Sequence, residues 1–407
     1  MSPAVQTMPE RGGPLAGVRV LEITKVWAGP YAGKILAALG AEVIKVESAT
    51  NLDEMRAYGG VDINSAPYFV SINQEVLSVQ VNMKTGEGLE LVRQMVAKSD
   101  IVIDNIRPGA MERSKLDYAN LRRIKPDIIQ CSIKMWGTDG PLGYQTGYAP
   151  CFAALSGLTN LVGYEGETPE GMNIRYGDAT AGAWAALACI AALNHRDRTG
   201  EGQFIDHSAV ESMTCLVGDS LFAYALTGEV PTSDGNFHRE ICPHGAYPCA
   251  DGEWISIAAA DDAEWRALGG ALVADWLLTD ARFTSLALRL KNRQVLDAEL
   301  ARITQNQDAS QLADRLRHSG VPAFRSQSSI DLCGDGYLWG RSGFRMVSDH
   351  KNGTRPIIGP SWRMQPDMAK VERGAPLLGE HNDYVYREIL GLSQARLDDL
   401  VARKVVD

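Results

Sequence analysis

The first 135 residues alternate short apolar, β-branched runs with helical segments, and that alternation restricts the chain to a few folds. VRVLEI (18–23) reads as a strand, TKVWAGP as a loop, 31–39 as a helix ended by Gly40, and AEVIKVE as the next strand. Residues 51–75 read as an irregular excursion and 76–81 as a third strand. Over 86–98, Leu89, Val92, Met95 and Val96 fall on one helical face. IVIDN is a strand, LRRIKPD closes a helix, and DIIQCSI is another strand. The pattern predicts an α/β fold with a Rossmann-like, open parallel sheet. Ligands of such sheets bind beyond the C-terminal ends of the strands, which makes 24–30 a candidate pocket wall. GPYAGK (29–34) is not a phosphate-binding P-loop: three residues separate its glycines instead of four, and Ile35 stands where Ser or Thr would hold magnesium. No GxGxxG is present, so a dinucleotide site is not supported.

After a glycine-rich loop at 137–147, helices are expected over 148–162, 177–195 and 206–227. Pro231, Pro243 and Pro248, among glycines and histidines, mark a boundary. The division expected is a large Rossmann-like domain (1–228), a small α/β domain (229–335) and a return segment with C-terminal helices (336–407). The small domain has a strand in YPCADGEWISIAAA and helices over 264–272, 292–304 and 309–319; the last helices are 384–390 and 394–403.

With 45% hydrophobic and 22% charged residues the chain has material for a large core. A net charge of −10 argues against general nucleic-acid binding and leaves room for a local cationic pocket. No apolar run reads as a membrane span; the Ala-rich stretch bounded by Asp178 and His195 is judged too short. MSPAVQTMPERGG reads as a loose tail, not a secretory signal. Seven cysteines, an odd number without a CxxC pair, read as reduced thiols of a cytoplasmic protein.

The stretch 173–195, NIRYGDATAGAWAALACIAALNH, puts Asp178 at the mouth of an apolar helix, flanked by Gly177 and by Ala179, Thr180, Ala181 and Gly182. Two readings stand side by side. Asp is a preferred N-cap, and its charge suits the positive helix end. An uncovered carboxylate is also a candidate covalent nucleophile. His238, Cys242, His244 and Cys249 are close in sequence, but their spacings fit no standard zinc site, and no metal is expected. No GxSxG elbow supports a serine hydrolase. Trp27, Trp136 and Trp184 are candidates for an aromatic substrate wall or for plain core packing.

Taken in order, PLAGVRVLEITKVWAGPYAGKILAALGAEVIKVE, NIRPGAMER, GDATAGAWAALACIAALNHRDRTGEGQFIDHSAVES, AYPCADGEWISIAA, GVPAF and GEHNDYVYREILGLS resemble the class III (CaiB/BaiF-type) CoA-transferase family over nearly the whole chain. The resemblance implies an intertwined, interlocked dimer whose C-terminus returns to the large domain. It implies no permanently bound cofactor, with acyl-CoA as substrate. It makes Asp178 the nucleophile that passes through a mixed anhydride and an aspartyl-CoA thioester, with backbone N–H groups around 177–182 facing the oxyanions. It places CoA on Val26, Trp27 and Ala28, on Asn105, Ile106 and Arg107, and on Arg113, with Lys134 and Arg175 nearby. Tyr148, Gly177, Gly182, Trp136 and His244 are expected around the substrate, His244 in a segment that covers the active site in the family.

The departures carry information too. Racemases of the family have His at the position of Tyr148, and a tyrosine is no base near neutral pH, so racemase or isomerase activity is disfavoured. Basic CoA contacts common in the family are replaced by Ser48, Val76 and Leu77. Either backbone and apolar contacts hold CoA, or this chain pairs with a paralogous subunit in a heteromer, as its catalytic or its non-catalytic half. LEITKVWAGPYAGK, with Trp27, resembles the benzylsuccinate CoA-transferase branch, which points to succinyl-CoA as donor and an aromatic or dicarboxylic acid as acceptor.

Overall fold

A computed structural model describes residues 8–59, 62–171, 175–349, 351 and 353–407. Two compact units form: the described residues of Met1–Thr159, Gly171–Val230 and Tyr337–Asp407, and a second made of Asn160–Glu170 and Pro231–Gly336.

The first unit is built on a six-stranded sheet, β1 (Arg19–Ile23), β2 (Glu42–Glu47), β3 (Leu77–Gln80), β4 (Ile101–Asp104), β5 (Ile129–Lys134) and β6 (Phe204–Ser208), in the order β3-β2-β1-β4-β5-β6. Every neighbouring pair is parallel. The order reverses between β1 and β4, which opens a crevice beyond their C-terminal ends. The connections include α1 (Ala28–Ala38), α2 (Gly86–Val96), α3 (Tyr118–Ile124), α4 (Ala149–Leu155) and α5 (Arg175–Thr199).

Period-two alternation along the strands assigns their side chains to two cores. Val20, Val43, Ile101, Ile103, Ile129 and Cys131 face α1 and α5, where Ala32, Leu36, Ala181, Ala185 and Cys189 are buried. Leu21, Ile44, Leu77, Val79 and Val102 face Leu91, Val92 and Met95 of α2, together with Val385, Tyr386, Leu397, Leu400, Val405 and Val406 from the end of the chain. Because both faces are covered there, β1 and β4 read as largely apolar runs. The end of the chain is tied to the β3 edge: the Asn82 N–H donates to the Val405 carbonyl at 2.8 Å, and the Tyr386 hydroxyl donates to the Gln80 carbonyl at 2.6 Å.

Three expectations are corrected. Residues 206–208 are strand, not helix: β6 is an edge strand whose first residues are exposed, and it takes its conformation from pairing with β5 and not from an apolar pattern. The helix expected over 148–162 stops at Leu155 and is followed by the short turn Leu158–Leu161. The helix carrying Asp178 runs 25 residues, its polar last turn continuing to Thr199, so by length and composition it could cross a membrane. Half of that apolar window is buried inside the protein.

In the second unit β7 (His244–Pro248), β8 (Trp254–Ala258) and β9 (Ala323–Arg325) form an antiparallel sheet. Tyr247, Ile255 and Ile257 pack with Trp265, Leu268, Leu296, Leu300, Leu312 and Leu316 from its helices.

Helices α1 and α5 approach closely at Gly182, where a Cβ would stand 2.6 Å from the Ala28 carbonyl oxygen and 3.0 Å from Tyr31 Cβ. Gly182→Ala is therefore expected to destabilise the protein by about 1–3 kcal/mol, seen as a lower Tm by circular dichroism. Gly270→Ala, whose Cβ would meet nothing within 4 Å, should leave the Tm unchanged or slightly raised.

Candidate active site

The loop after β1 enters α1 through an unusual backbone. Val26 has φ +65°, a left-handed conformation that costs a β-branched residue about 1–2 kcal/mol. Its N–H donates to Asp53 Oδ1 at 2.9 Å. Asn105, just past β4, accepts the Lys25 N–H at 2.8 Å and donates to the Lys25 carbonyl at 2.7 Å. Below the loop, Lys45 of β2 is fully buried; its Nζ donates to the Thr24 carbonyl at 3.0 Å and to Thr24 Oγ1 at 3.2 Å, and lies 3.1 Å from Asp53 Oδ2. Burial works against the Lys45 ammonium, but the Asp53, Glu22 and Glu47 carboxylates outweigh it and hold its pKa above the ordinary value. Glu22 is shifted by its burial too, which pushes it up to about 7 despite Lys45, whose Nζ is 3.8 Å away. Only a glycine at 33 leaves room for it, since a Cβ there would overlap Glu22 Oε1.

Helix α1 then begins at Ala28 with no side-chain cap and no acid in its first turn. No acceptor among the described residues takes the N–H of Ala28 or Gly29, and Pro30 has none, so the turn presents free donors at the positive helix end.

Two glycines bring Asp178 to this point. Gly182 lets α5 press on the start of α1, and Gly177 packs on Ala149, where a Cβ would stand 3.1 Å from Ala149 Cβ. Tyr148 precedes Ala149 as the N-cap of α4, with its side chain exposed. Asp178 is 8% exposed, and no hydrogen-bond donor among the described residues reaches its carboxylate. Burial alone raises its pKa to about 7. The helix starts at Arg175, so Asp178 lies inside the first turn and is not the N-cap. Within α5 the N–H groups of residues 179–182 are committed to the helical ladder, so they are not available to an oxyanion. Asn173 and the Arg175 side chain lie outside the described residues.

The remaining sites are placed as follows. Arg107 and Arg113 are exposed, and no ion-pair partner reaches either among the described residues. The Arg113 guanidinium lies over Gly109, which has φ +74°. Lys134 is buried in an ion pair with Asp104 and donates to the Ile106 carbonyl at 2.9 Å; it props the loop of Asn105, Ile106 and Arg107 instead of offering a free charge. The hydroxyls of Ser48 and Thr50 donate to Asp407 Oδ2 at 2.8 and 2.9 Å, so a carboxylate stands at the tip of β2. Val76 and Leu77 belong to the two cores.

The three tryptophans do not form one wall. Trp27 stacks edge-on against Tyr68, centroids 6.0 Å apart, and Tyr68 against Tyr58. Trp136 packs on the α1–α5 core and donates to Gln145 Oε1 at 2.9 Å, while Trp184 is exposed on α5. His244 belongs to the second unit, where its Nδ1 is 2.6 Å from the Asn236 carbonyl oxygen and it lines a groove of about 290 Å³ with Ser256 and Phe324. Among the described residues no group of three His, Cys, Asp or Glu side chains could hold a metal ion. Sequence reasoning missed Lys45, Asp53 and Asp407. Lys45 left a trace, a charge between Ile44 and Val46 in β2, whereas nothing in sequence marks Val26 as the partner of Asp53 or Ser48 as that of Asp407.

The family model described as CoA-transferase family III matches residues 15–382. A succinyl-CoA–D-citramalate CoA-transferase of Chloroflexus aurantiacus is 32% identical over 97% of this chain and 98% of its own. A succinate–glutarate CoA-transferase of Agrobacterium fabrum is 32% identical over 94% and 97%. A succinyl-CoA–L-malate CoA-transferase alpha subunit of Chloroflexus aurantiacus is 29% identical over 97% and 92%. The crystal structure of a CAIB/BAIF family protein from Brucella suis superimposes with a TM-score of 0.87 at 31% identity, covering 93% of this chain and 100% of that one.

The raised Asp178 pKa has a consequence for stability. The folded value of about 7 exceeds the ordinary carboxyl value of 3.8, so the folded chain holds the proton more tightly. This group's contribution to stability is therefore greatest below about pH 4 and is lost as pH rises through about 7. Asp178→Asn has no such loss: its Tm relative to the natural protein is expected to rise between about pH 5.5 and about pH 8.5 in scanning fluorimetry. An identical difference at both pH values would contradict the buried-charge account.

Proposed function

This chain belongs to CoA-transferase family III, and on that premise we propose that it moves CoA from succinyl-CoA to a dicarboxylic acid with Asp178 as nucleophile. The observation that carries the reading is a buried carboxylate without a hydrogen-bond partner among the described residues, about one turn ahead of the contact that α5 makes at Gly182 with the uncapped start of α1. A carboxylate stripped of hydration is a stronger nucleophile than one in water, and a raised pKa accompanies that state.

The steps balance using only carboxylates and one thiol. An Asp178 oxygen attacks the thioester carbonyl of succinyl-CoA; the C–S bond breaks, the CoA thiolate leaves, and a mixed anhydride forms. The thiolate attacks the aspartyl carbonyl and expels succinate, leaving aspartyl-CoA thioester. The acceptor carboxylate attacks that carbonyl and releases the thiolate, giving a second anhydride. The thiolate attacks the acceptor's acyl carbon, and acceptor-CoA leaves with the Asp178 carboxylate restored. The free N–H groups of Ala28 and Gly29 supply donors for the oxyanions. Val26, Trp27, Ala28, Ile106, Arg107 and Arg113 face CoA, the two arginines its phosphates, while both amide atoms of Asn105 are committed to the Lys25 backbone. Gly177, Gly182 and Tyr148 shape the nucleophile's surroundings. The Trp27–Tyr68–Tyr58 cluster suits an acceptor with an aryl group, such as benzylsuccinate.

The active form is an interlocked dimer, either of this chain or with a paralogous subunit. The helix Gly218–Thr227, here α6, supports an oligomer: Phe222 is 74% and Leu226 85% exposed, too much apolar surface for a free face. The alpha-subunit relative favours the heteromeric form, in which this chain is one of two unlike halves. Cys131, Cys151, Cys189, Cys215, Cys242 and Cys249 form no disulfide, as suits a cytoplasmic enzyme.

The decisive experiment is intact-mass analysis after incubation with succinyl-CoA and trapping by hydroxylamine or borohydride. An adduct mapped to Asp178 is expected, and Asp178→Ala should abolish it and lower turnover by about 10³-fold or more. A variant that retains the adduct or the turnover overturns the nucleophile assignment. Arg107→Ala and Arg113→Ala should each raise KM for acyl-CoA about tenfold, with kcat little changed, in steady-state assays.

A further inference from the structure

The peptide Thr24–Lys25–Val26 is held by side chains instead of by any regular ladder. Lys45 takes the Thr24 carbonyl, Asn105 takes both backbone groups of Lys25, and Asp53 takes the Val26 N–H. Asp53 is itself fixed, since Oδ1 also accepts the Met55 N–H at 3.0 Å and Oδ2 lies 3.1 Å from Lys45 Nζ. Asn105 can reach Lys25 because residue 29 is glycine; a Cβ there would stand 2.7 Å from Thr24 and 3.0 Å from Asn105 Cγ. A β-branched residue keeps a positive φ only where its surroundings over-determine it, and here two clamps from opposite sides of the loop do so. A buried ion pair is weak support for stability. What this one accomplishes is geometry: it turns the chain at Val26, two residues ahead of the start of α1.

We infer that Asp53 and Asn105 are positioning residues for the transfer reaction: with Lys45 they hold Val26 left-handed and thereby set the backbone of Val26, Trp27 and Ala28 for the acyl-CoA substrate. The inference rests on the proposed role of that loop in binding CoA. Neither residue touches the reacting atoms; both act through the backbone conformation of the loop.

The test is a strain-relief cycle. Asp53→Ala removes the acceptor of the Val26 N–H and should raise KM for succinyl-CoA about tenfold or more, while kcat falls less than about threefold. Glycine adopts a positive φ without a clamp. Adding Val26→Gly to Asp53→Ala should therefore bring KM back by about threefold or more from the single-variant value, with Val26→Gly alone measured for reference. A merely structural role for Asp53 would show a lower Tm and no recovery, and that result overturns the inference, as does an unchanged KM in Asp53→Ala. If Asp53→Ala fails to fold, Asp53→Asn and Asn105→Ala replace it: each is expected to raise KM, and recovery in combination with Val26→Gly is again required. Calorimetry of succinyl-CoA binding to the natural protein separates the two readings. No binding defeats the transferase reading itself, whereas binding and turnover with no KM change in the variants defeat only the positioning role.

Discussion

The contact between α1 and α5 is the constraint on which the rest of the first unit depends. Two helices made of Ala, Gly and small apolar residues lie against one face of the sheet, close enough at Gly182 that no side chain fits. Near this contact the carboxylate of Asp178 is buried, and so desolvated without a compensating donor among the described residues. Asp178 lies about one turn ahead of the point where α5 meets the start of α1, whose backbone has N–H groups to spare. The packing of the helix offsets the penalty of burying Asp178, and the raised pKa of the group follows from the same burial.

Charge is distributed in the first unit by a similar logic. Lys45, Glu22, Asp53, Glu47 and Arg56 are all buried beneath the C-terminal ends of β1 and β2, where an apolar core would carry no desolvation penalty. Lys45 and Asp53 satisfy polar groups of a loop that leaves the sheet without ladder partners, and Arg56 pairs with Glu47. Lys134 and Asp104 do the same below the Ile106 loop. The crevice at the switch point is thus lined by backbone segments whose conformations are dictated from underneath by ion pairs, while Arg107 and Arg113 remain exposed at its rim.

Much of the sheet was legible because local and tertiary preferences agree there. β1, β2, β4 and β5 are apolar runs with β-branched residues, buried on both faces, and α2 shows its apolar stripe. β6 was misread because FIDHS has no pattern of its own; its partner β5 supplies the order. Asp178 was found from its small neighbours, but its place within the helix was not, since the first turn lacks an apolar stripe to mark it. Trp27, Trp136 and Trp184 were grouped by chemistry and are separated by the fold. Lys134 looked like a phosphate contact because nothing in sequence announces Asp104 as its partner. The acid at the tip of β2 comes from Asp407, 359 residues away along the chain, which no local pattern encodes.

The order in which the first unit is completed matters for how the chain comes off the ribosome. One face of the six-stranded sheet is sealed by Val385, Tyr386, Leu397, Leu400, Val405 and Val406, yet β6 ends at Ser208 and nearly the whole second unit is synthesised in between. At typical elongation rates that interval is roughly ten to forty seconds. Throughout it the nascent sheet presents the apolar strand surface around Ile44 and an unclosed β3 edge to its surroundings, a template for wrong pairing. Until the C-terminal segment arrives, α2 alone of the two coverings protects that face from other chains.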